Sequence, residues 1–269
     1  MQKVNVGSIE MAALVDTIQS YGAAGVYPEA GDLARFAGFL DGEGKIALNF
    51  GCFLVRDGAT VLLVDTGWGP EYEGKLLTEL AEAGVKPAQV THVLFTHLHG
   101  DHTGWNIDRA SGRPIFANAR HLVPQADWDH YLSEKPADPS KPWLSSFARD
   151  VLPLQTLGLV ELISGETAIS ASLTAIPTPG HTPGHTSVAI SSNGERGFVL
   201  GDVVISELDA VEPDLQTVFD WDRTLAVRTR KATIARLAGE QALVGASHLP
   251  APGLGRFVAA GGAHRWQAI

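Results

Sequence analysis

The sequence predicts an α+β protein built in layers, with two sheets packed together and helices outside. Two observations carry this. Strand signals come first as a hairpin, then a helix follows, then strands and a helix again, and both halves run in the same order of hairpin, helix, strand. Leu48 to Val55 and Thr60 to Asp65 are apolar runs flanking Asp57-Gly58, which reads as a β-hairpin ended by Gly67 and Gly69. Lys75 to Ala83 places Leu76, Leu77 and Leu80 on one helical face, with Gly84 closing it. Val90 to Phe95 suits a buried strand and leads into Thr96 to Asn106. Pro114 to Ala117 and His121 to Pro124 read as short strands, and Asp127 to Leu132 as a helical turn. Ser133 to Pro142 holds three prolines and four charges and reads as a surface loop or lid. Leu173 to Ile176, Ser187 to Ile190 and Gly197 to Leu200 are strands, Arg223 to Leu237 is the best long helix, and Ala242 to Gly245 is one more short strand.

Composition narrows the function classes. With 269 residues, 45% hydrophobic and 19% charged, the chain is globular, neither disordered nor fibrous. It is expected to form one domain over residues 1–269, with an N-terminal extension over about residues 1–45. The single cysteine, Cys52, excludes a disulfide framework and a multi-thiolate zinc ribbon. Thirty acidic against 20 basic residues give a net charge of -10, which argues against nucleic-acid and anionic-membrane partners. Glu10 and Asp16 flank the only apolar stretch near the start, so it does not read as a secretory signal. No apolar run is long enough to span a bilayer, and the expected location is the cytoplasm.

The chemistry is concentrated in the histidines. Residues 97 to 102 read His-Leu-His-Gly-Asp-His, three imidazoles and a carboxylate in six positions after a buried strand. Imidazole nitrogen and carboxylate oxygen suit zinc and similar cations. In an extended segment His97 and His99 project to one side, and the turn at Gly100 lets Asp101 and His102 reach a second point, so one run can serve two adjacent ions. Four residues do not close two sites. Further candidates stand at other strand ends: His181 and His185 in the turn Pro179 to Thr186, Asp202 after Phe198 to Leu200, and His248 after Ala242 to Gly245.

With these motifs in this order, the chain resembles the metallo-β-lactamase superfamily. The resemblance runs through Val64-Asp65-Thr66-Gly67, Thr96 to His102, Pro179 to His185, Leu200-Gly201-Asp202 and Ser247-His248. It implies a four-layer αββα sandwich with a two-metal site at one edge. It also implies that His97, His99 and His185 hold the first metal, that Asp101, His102 and His248 hold the second, and that Asp202 bridges them. His185 is preferred to His181 because the resemblance puts the ligand on the second histidine of the turn. Asp65 would orient a ligating imidazole. Two zinc ions are the expected cofactors, with manganese, cobalt or iron as alternatives.

Departures select among branches. Asp202 stands where zinc β-lactamases often carry a thiolate, and His99 stands where the flavin-coupled di-iron branch carries Glu. The transfer-RNA processing branch binds a polyanion, which suits a charge of -10 poorly. The tail beyond Ala251 is short and glycine-rich, unlike the C-terminal region of glyoxalase II. Asp101 to Asn106 and His248 to Gly255 are most similar to the lactonase and organophosphate-hydrolase branch, the tail resembling the methyl parathion hydrolase group.

The expected function is therefore hydrolysis of a lactone, carboxylic ester or neutral organophosphate by a metal-bridging hydroxide. A β-lactamase or a di-iron redox protein of the same fold are the alternatives. Asp101 is the candidate catalytic proton carrier to the leaving group, a pure ligand role being the other reading. Trp68, Trp105, Phe219 and Trp221 are candidate walls for an uncharged, partly apolar small-molecule substrate, and Asp220 and Asp222 would disfavour anions. His92, His121, His130 and His264 are expected to be structural. A homodimer is the candidate assembly.

Overall fold

The structure is a computed structural model that describes residues 1–134 and 146–269. Its two seven-stranded sheets each follow the chain from edge to edge. The first comprises β1 (Gln2–Val6), β2 (Ile9–Gly22), β3 (Lys45–Asp57), β4 (Thr60–Val64), β5 (His92–Leu94), β6 (Arg120–Pro124) and β7 (Val160–Ile163). Antiparallel pairing from β1 to β4 gives way to parallel pairing from β4 to β7. The second comprises β8 (Thr167–Ala168), β9 (Leu173–Pro177), β10 (Thr186–Ser192), β11 (Glu195–Val199), β12 (Leu243–Gly245), β13 (Leu254–Ala260) and β14 (Ala263–Ala268). It is antiparallel except where β11 meets β12.

The alternation of side chains along β3 shows how the layers form. Phe53 and Val55 face the second sheet and join Met11, Val64, Leu94, Val188 and Val199 in the core between the sheets. Cys52 and Leu54 face the other way, into a layer with Leu76 and Leu80 of the helix Leu76–Glu82. A strand covered on both faces reads as a continuous apolar run, and this explains the length of the Leu48–Val55 signal. On the far side of the second sheet, Ile234 and Leu237 of the helix Arg223–Gly239 pack against Phe198, Val244 and Phe257. The result is an α+β sandwich of helices, sheet, sheet and helices. Each fully buried aliphatic side chain contributes roughly 1.5–3 kcal/mol.

Two expectations are corrected. The stretch set aside as an N-terminal extension supplies β1 and β2, and β2 pairs with β3 along most of its length. Pro114 to Ala117 is not a strand: Pro114 makes one isolated bridge to Ile107 and a turn follows, in keeping with a residue that has no N–H for a ladder. The glycine-rich tail is the hairpin β13–β14, turned by Gly261 and Gly262 at φ 56° and 88°, both in the left-handed region this tight loop requires. The lid expected at Ser133 to Pro142 lies outside the described residues beyond Glu134. Among the described residues, no helix is long and apolar enough to cross a membrane.

Candidate metal centre

The candidate residues leave the ends of β4, β5, β11 and β12 and the β9–β10 turn at one edge of the sandwich. They gather into two groups. His97, His99 and His181 bring one ring nitrogen each within 4.8 Å of one another, and Asp101, His102, Asp202 and His248 do the same with one side-chain atom each. Asp202 lies between the groups. Its Oδ2 is 3.0 Å from His248 Nε2, 3.3 Å from His181 Nε2 and 3.9 Å from His97 Nε2, while its Oδ1 is 3.3 Å from His102 Nε2.

The surrounding hydrogen bonds settle which nitrogen of each ring faces inward. Thr96 Oγ1 donates to Asp65 Oδ2 at 2.8 Å, so it accepts from His97 Nδ1 at 3.1 Å. Asp65 Oδ2 also accepts from His102 Nδ1 at 2.8 Å, Asp220 Oδ1 from His181 Nδ1 at 2.9 Å, and the Asn49 carbonyl from His248 Nδ1 at 2.8 Å. Each of these rings is thereby left with its Nε2 lone pair aimed into the site. The lone pairs of His97 and His181 converge on His99 Nδ1, at 2.9 and 3.0 Å. Those of His102 and His248 face the carboxylates of Asp101 and Asp202.

The structure moves one predicted ligand. His185 is buried below the site with both nitrogens engaged: Nε2 accepts the Asp202 backbone N–H at 2.9 Å, and Nδ1 donates to Thr178 Oγ1 at 2.8 Å. Thr178 passes the chain to Ser187 Oγ, which ends on the Leu200 carbonyl. With no free lone pair, His185 supports the turn that carries Asp202, and the place beside His97 and His99 belongs to His181. Gly201 shows how closely this turn fits. It has φ 61°, and a Cβ there would lie 2.7 Å from His185 Nε2 and 2.8 Å from Thr96 Cβ.

The electrostatics favour cations in both groups. Burial holds His97 well below its ordinary value and takes His99 down to about 3. Burial also acts to lower His102, yet Asp101, Asp202 and Asp65 together raise it well above the usual range. Asp202 and Asp101 likewise outweigh burial at His248. Against the burial that acts to raise them, His102 and His248 bring Asp101 down to about 2 and hold Asp202 well below the carboxylate range. Converging lone pairs and carboxylates thus call for positive charge between them. Among the described residues, His102 Nε2 and Asp202 Oδ1 are buried with no hydrogen bond of good geometry and face only each other and Asp101, as ligand atoms awaiting an ion would. The donor set fits a pair of divalent cations sharing Asp202.

Several supports were not legible in the sequence. Asp16 on β2, with its carboxyl raised by burial, accepts from Trp68 N, Leu76 N and Trp105 Nε1, each at 2.8 Å. Asp127 grips the β9–β10 turn through Gly184 N at 2.6 Å and Thr182 Oγ1 at 2.8 Å, and burial raises it to about 6. Neither sits in a motif. Arg230 did leave a signal, since it occupies the inner stripe of its helix with Ala226, Thr233, Ile234 and Leu237.

A cavity of about 830 Å³ opens above Asp101, Asp202 and His248. Leu48, Phe50, Trp68 and Ile205 line it, and Tyr131, Phe219 and Trp221 also contribute. Of the expected walls, Trp105 is absent from the lining and is turned to Asp16 instead. His130, expected to be structural, lines the cavity and lies edge-on to Trp221 with ring centroids 6.3 Å apart.

Comparison with known proteins agrees with this architecture. The chain is 25% identical over 177 residues to an N-acyl homoserine lactonase of Bacillus cereus, a match covering 55% of this chain and 60% of that protein. It spans no more than 60% of the length of the first curated relatives it matches. Among solved structures, the hydrolase AbOPH of the beta-lactamase superfamily superposes with a TM-score of 0.88 at 26% identity, covering 99% of this chain and 96% of that one. The dizinc quorum-quenching lactonase AidC superposes with a TM-score of 0.86 at 24% identity, covering 100% and 97%, and shows the same fold. The characteristic pattern of one family extends over residues 52–240, from β3 to the end of the long helix, and the chain belongs to the metallo-beta-lactamase superfamily.

Proposed function

We propose that this protein is a dinuclear metal-dependent hydrolase that opens a lactone, with carboxylic esters and neutral organophosphates as neighbouring substrates. The observation that carries the proposal is Asp202 standing between two ligand groups at the floor of an aromatic-walled cavity. His97, His99 and His181 would hold one ion, Asp101, His102 and His248 the other, and Asp202 both. Zinc is the proposed ion because imidazole and carboxylate donors suit it, with manganese, cobalt and iron as alternatives. When bound, the pair would supply Lewis acidity and bring the pKa of a water held there towards neutrality.

The chain's own residues do the rest. Asp65, Asp220 and the Asn49 carbonyl fix the imidazoles of His102, His181 and His248 before substrate arrives. Asp101 keeps 16% of its side chain exposed and lines the cavity, and its carboxylate is deprotonated at neutral pH. Its Oδ2 faces His102 and His248, which leaves Oδ1 to take a proton and hand it to the leaving oxygen. Leu48, Phe50, Trp68 and Trp221 would hold the apolar part of the substrate.

Among the described residues no Lys or Arg lines the cavity, while Asp101, Glu134, Asp202 and Asp220 do. That lining favours an uncharged substrate over a β-lactam, which carries a carboxylate. The similarity to N-acyl homoserine lactonases supports the lactone within this class. The proposal includes a small molecule as the partner, no nucleic acid or membrane, a cytoplasmic location and a homodimer.

The test is a hydrolysis panel on zinc-loaded protein: acyl lactones, aryl esters, a paraoxon-like triester and a chromogenic cephalosporin. Turnover of the lactones above the cephalosporin is expected. Turnover of none of the four, or of the cephalosporin alone, overturns the assignment.

A further inference from the structure

We propose that Arg230 is a positioning residue for the cation site, setting His181 and Asp202 together from the interior of the long helix. The inference rests on the cation site of the preceding section and not on its substrate.

Arg230 is 0% exposed, which a guanidinium tolerates only when its donors are met. Nε donates to the Val203 carbonyl at 3.1 Å and Nη1 to the Leu215 carbonyl at 2.5 Å. Nη1 lies 3.4 Å from Asp209 Oδ1, and Nη2 lies 3.5 Å from Asp220 Oδ2. Asp209 Oδ2 in turn accepts from Tyr27 Oη at 3.0 Å and Ile205 N at 2.7 Å.

Two of these contacts lead to the site. Asp220 Oδ1 accepts the Nδ1–H of His181, and among the described residues its other oxygen has no partner except the guanidinium nearby. The pair Asp220–Arg230 therefore decides where the carboxylate points, and the carboxylate decides that His181 presents Nε2. Val203 directly follows Asp202, so the bond from Arg230 Nε anchors the short turn Gly201–Val203 from behind while His185 anchors it from the front. One planar fork thus fixes the relation between a ligand on the β9–β10 turn and a ligand at the end of β11. Lysine keeps the charge and loses that geometry.

The experiment is a cobalt(II) titration of metal-free protein, read by calorimetry and by the visible ligand-field bands of the bound ion, without substrate. Wild type, Arg230→Lys and Asp220→Asn are compared, with circular dichroism reporting the fold. Asn at 220 can still accept from His181, but it turns an amide towards Arg230 and breaks the link. In both variants one of the two ions is expected to bind about 10–100-fold more weakly, with altered bands, while the other is held as in wild type. Two ions bound with wild-type affinities and bands in Asp220→Asn, or in a folded Arg230→Lys, overturn the proposal. If Arg230→Lys does not fold, Asp220→Asn decides alone. Wild type that binds no ion would instead overturn the proposed function.

Discussion

In the first half of the molecule the hairpin β3–β4 is followed by the helix Leu76–Glu82 and by β5, which runs parallel to β4. In the second half the hairpin β10–β11 is followed by the helix Arg223–Gly239 and by β12, parallel to β11. The same topology carries its polar residues differently. After β4 the left-handed residue is Asp65 itself, at φ 62°, and its carboxylate turns back to Thr96 and His102. After β11 the left-handed residue is Gly201, and the carboxylate comes one position later, on Asp202, inside the site. After β5 one loop supplies His97, His99, Asp101 and His102, whereas the second half supplies His181, Asp202 and His248 singly from three places. A shift of one residue relative to the left-handed position thus separates a carboxylate that orients a ligand from one that is placed to be a ligand.

The largest effect expected from breaking this comparison comes from its two aspartates. Asp202→Ala should abolish binding of both ions and lower activity by on the order of 10³ or more. Asp65→Ala should leave two ions bound, with affinity reduced about 10–100-fold through the loosened His102. Metal content by elemental analysis after dialysis checks both, and retention of two ions by Asp202→Ala would remove its bridging place.

Next in size is the contrast between the histidines of the β9–β10 turn. His181→Ala should lose one ion. His185→Ala should keep two and unfold more easily by about 1–3 kcal/mol, because the Asp202 N–H and Thr178 Oγ1 lose their partner. Denaturant melts alongside metal content separate the two outcomes. Loss of an ion in His185→Ala with two retained in His181→Ala would reverse their roles.

The smallest effect contrasts two buried imidazoles. His185 has both nitrogens bonded, whereas His121 on β6, 0% exposed, has neither bonded among the described residues. Burial takes His121 from 6.5 down to about 4. Between these values the unfolded chain binds the proton and the folded chain does not, so stability falls as pH drops through that window and levels off below it. The loss is at most about 3 kcal/mol, from 1.36 kcal/mol per pH unit. His121→Leu should lose less stability than wild type between pH 7 and pH 5 in denaturant melts, and equal losses would refute the assignment.

The sequence displayed those parts of the site that lie close together along the chain. The run from His97 to His102 was readable because a strand end concentrates its ligands, and the hairpin β3–β4 because Asp57-Gly58 punctuates two apolar runs. His181 and His185 could not be ranked from spacing, because both stand in one Gly/Pro turn and only the third dimension shows which ring already has its nitrogens engaged. Asp16 and Asp127 carried no local pattern, since their partners, backbone N–H groups and the side chains of Trp105 and Thr182, belong to distant segments. The strands β1 and β2 were missed for a related reason. The apolar run Met11 to Val15 marks only the first half of β2, and past residue 16 its side chains alternate half-buried and exposed, so nothing announces a strand of that length.

The carboxylate of Asp16 has a consequence for how this scaffold changes. It joins β2 to the loop bearing Trp68 and to the ring of Trp105, so one rim of the cavity is set by a segment that contributes nothing to the candidate cation site. Selection, or an engineer, can therefore reshape what fits above the proposed cation site by exchanging the first strands, while its floor stays as it is.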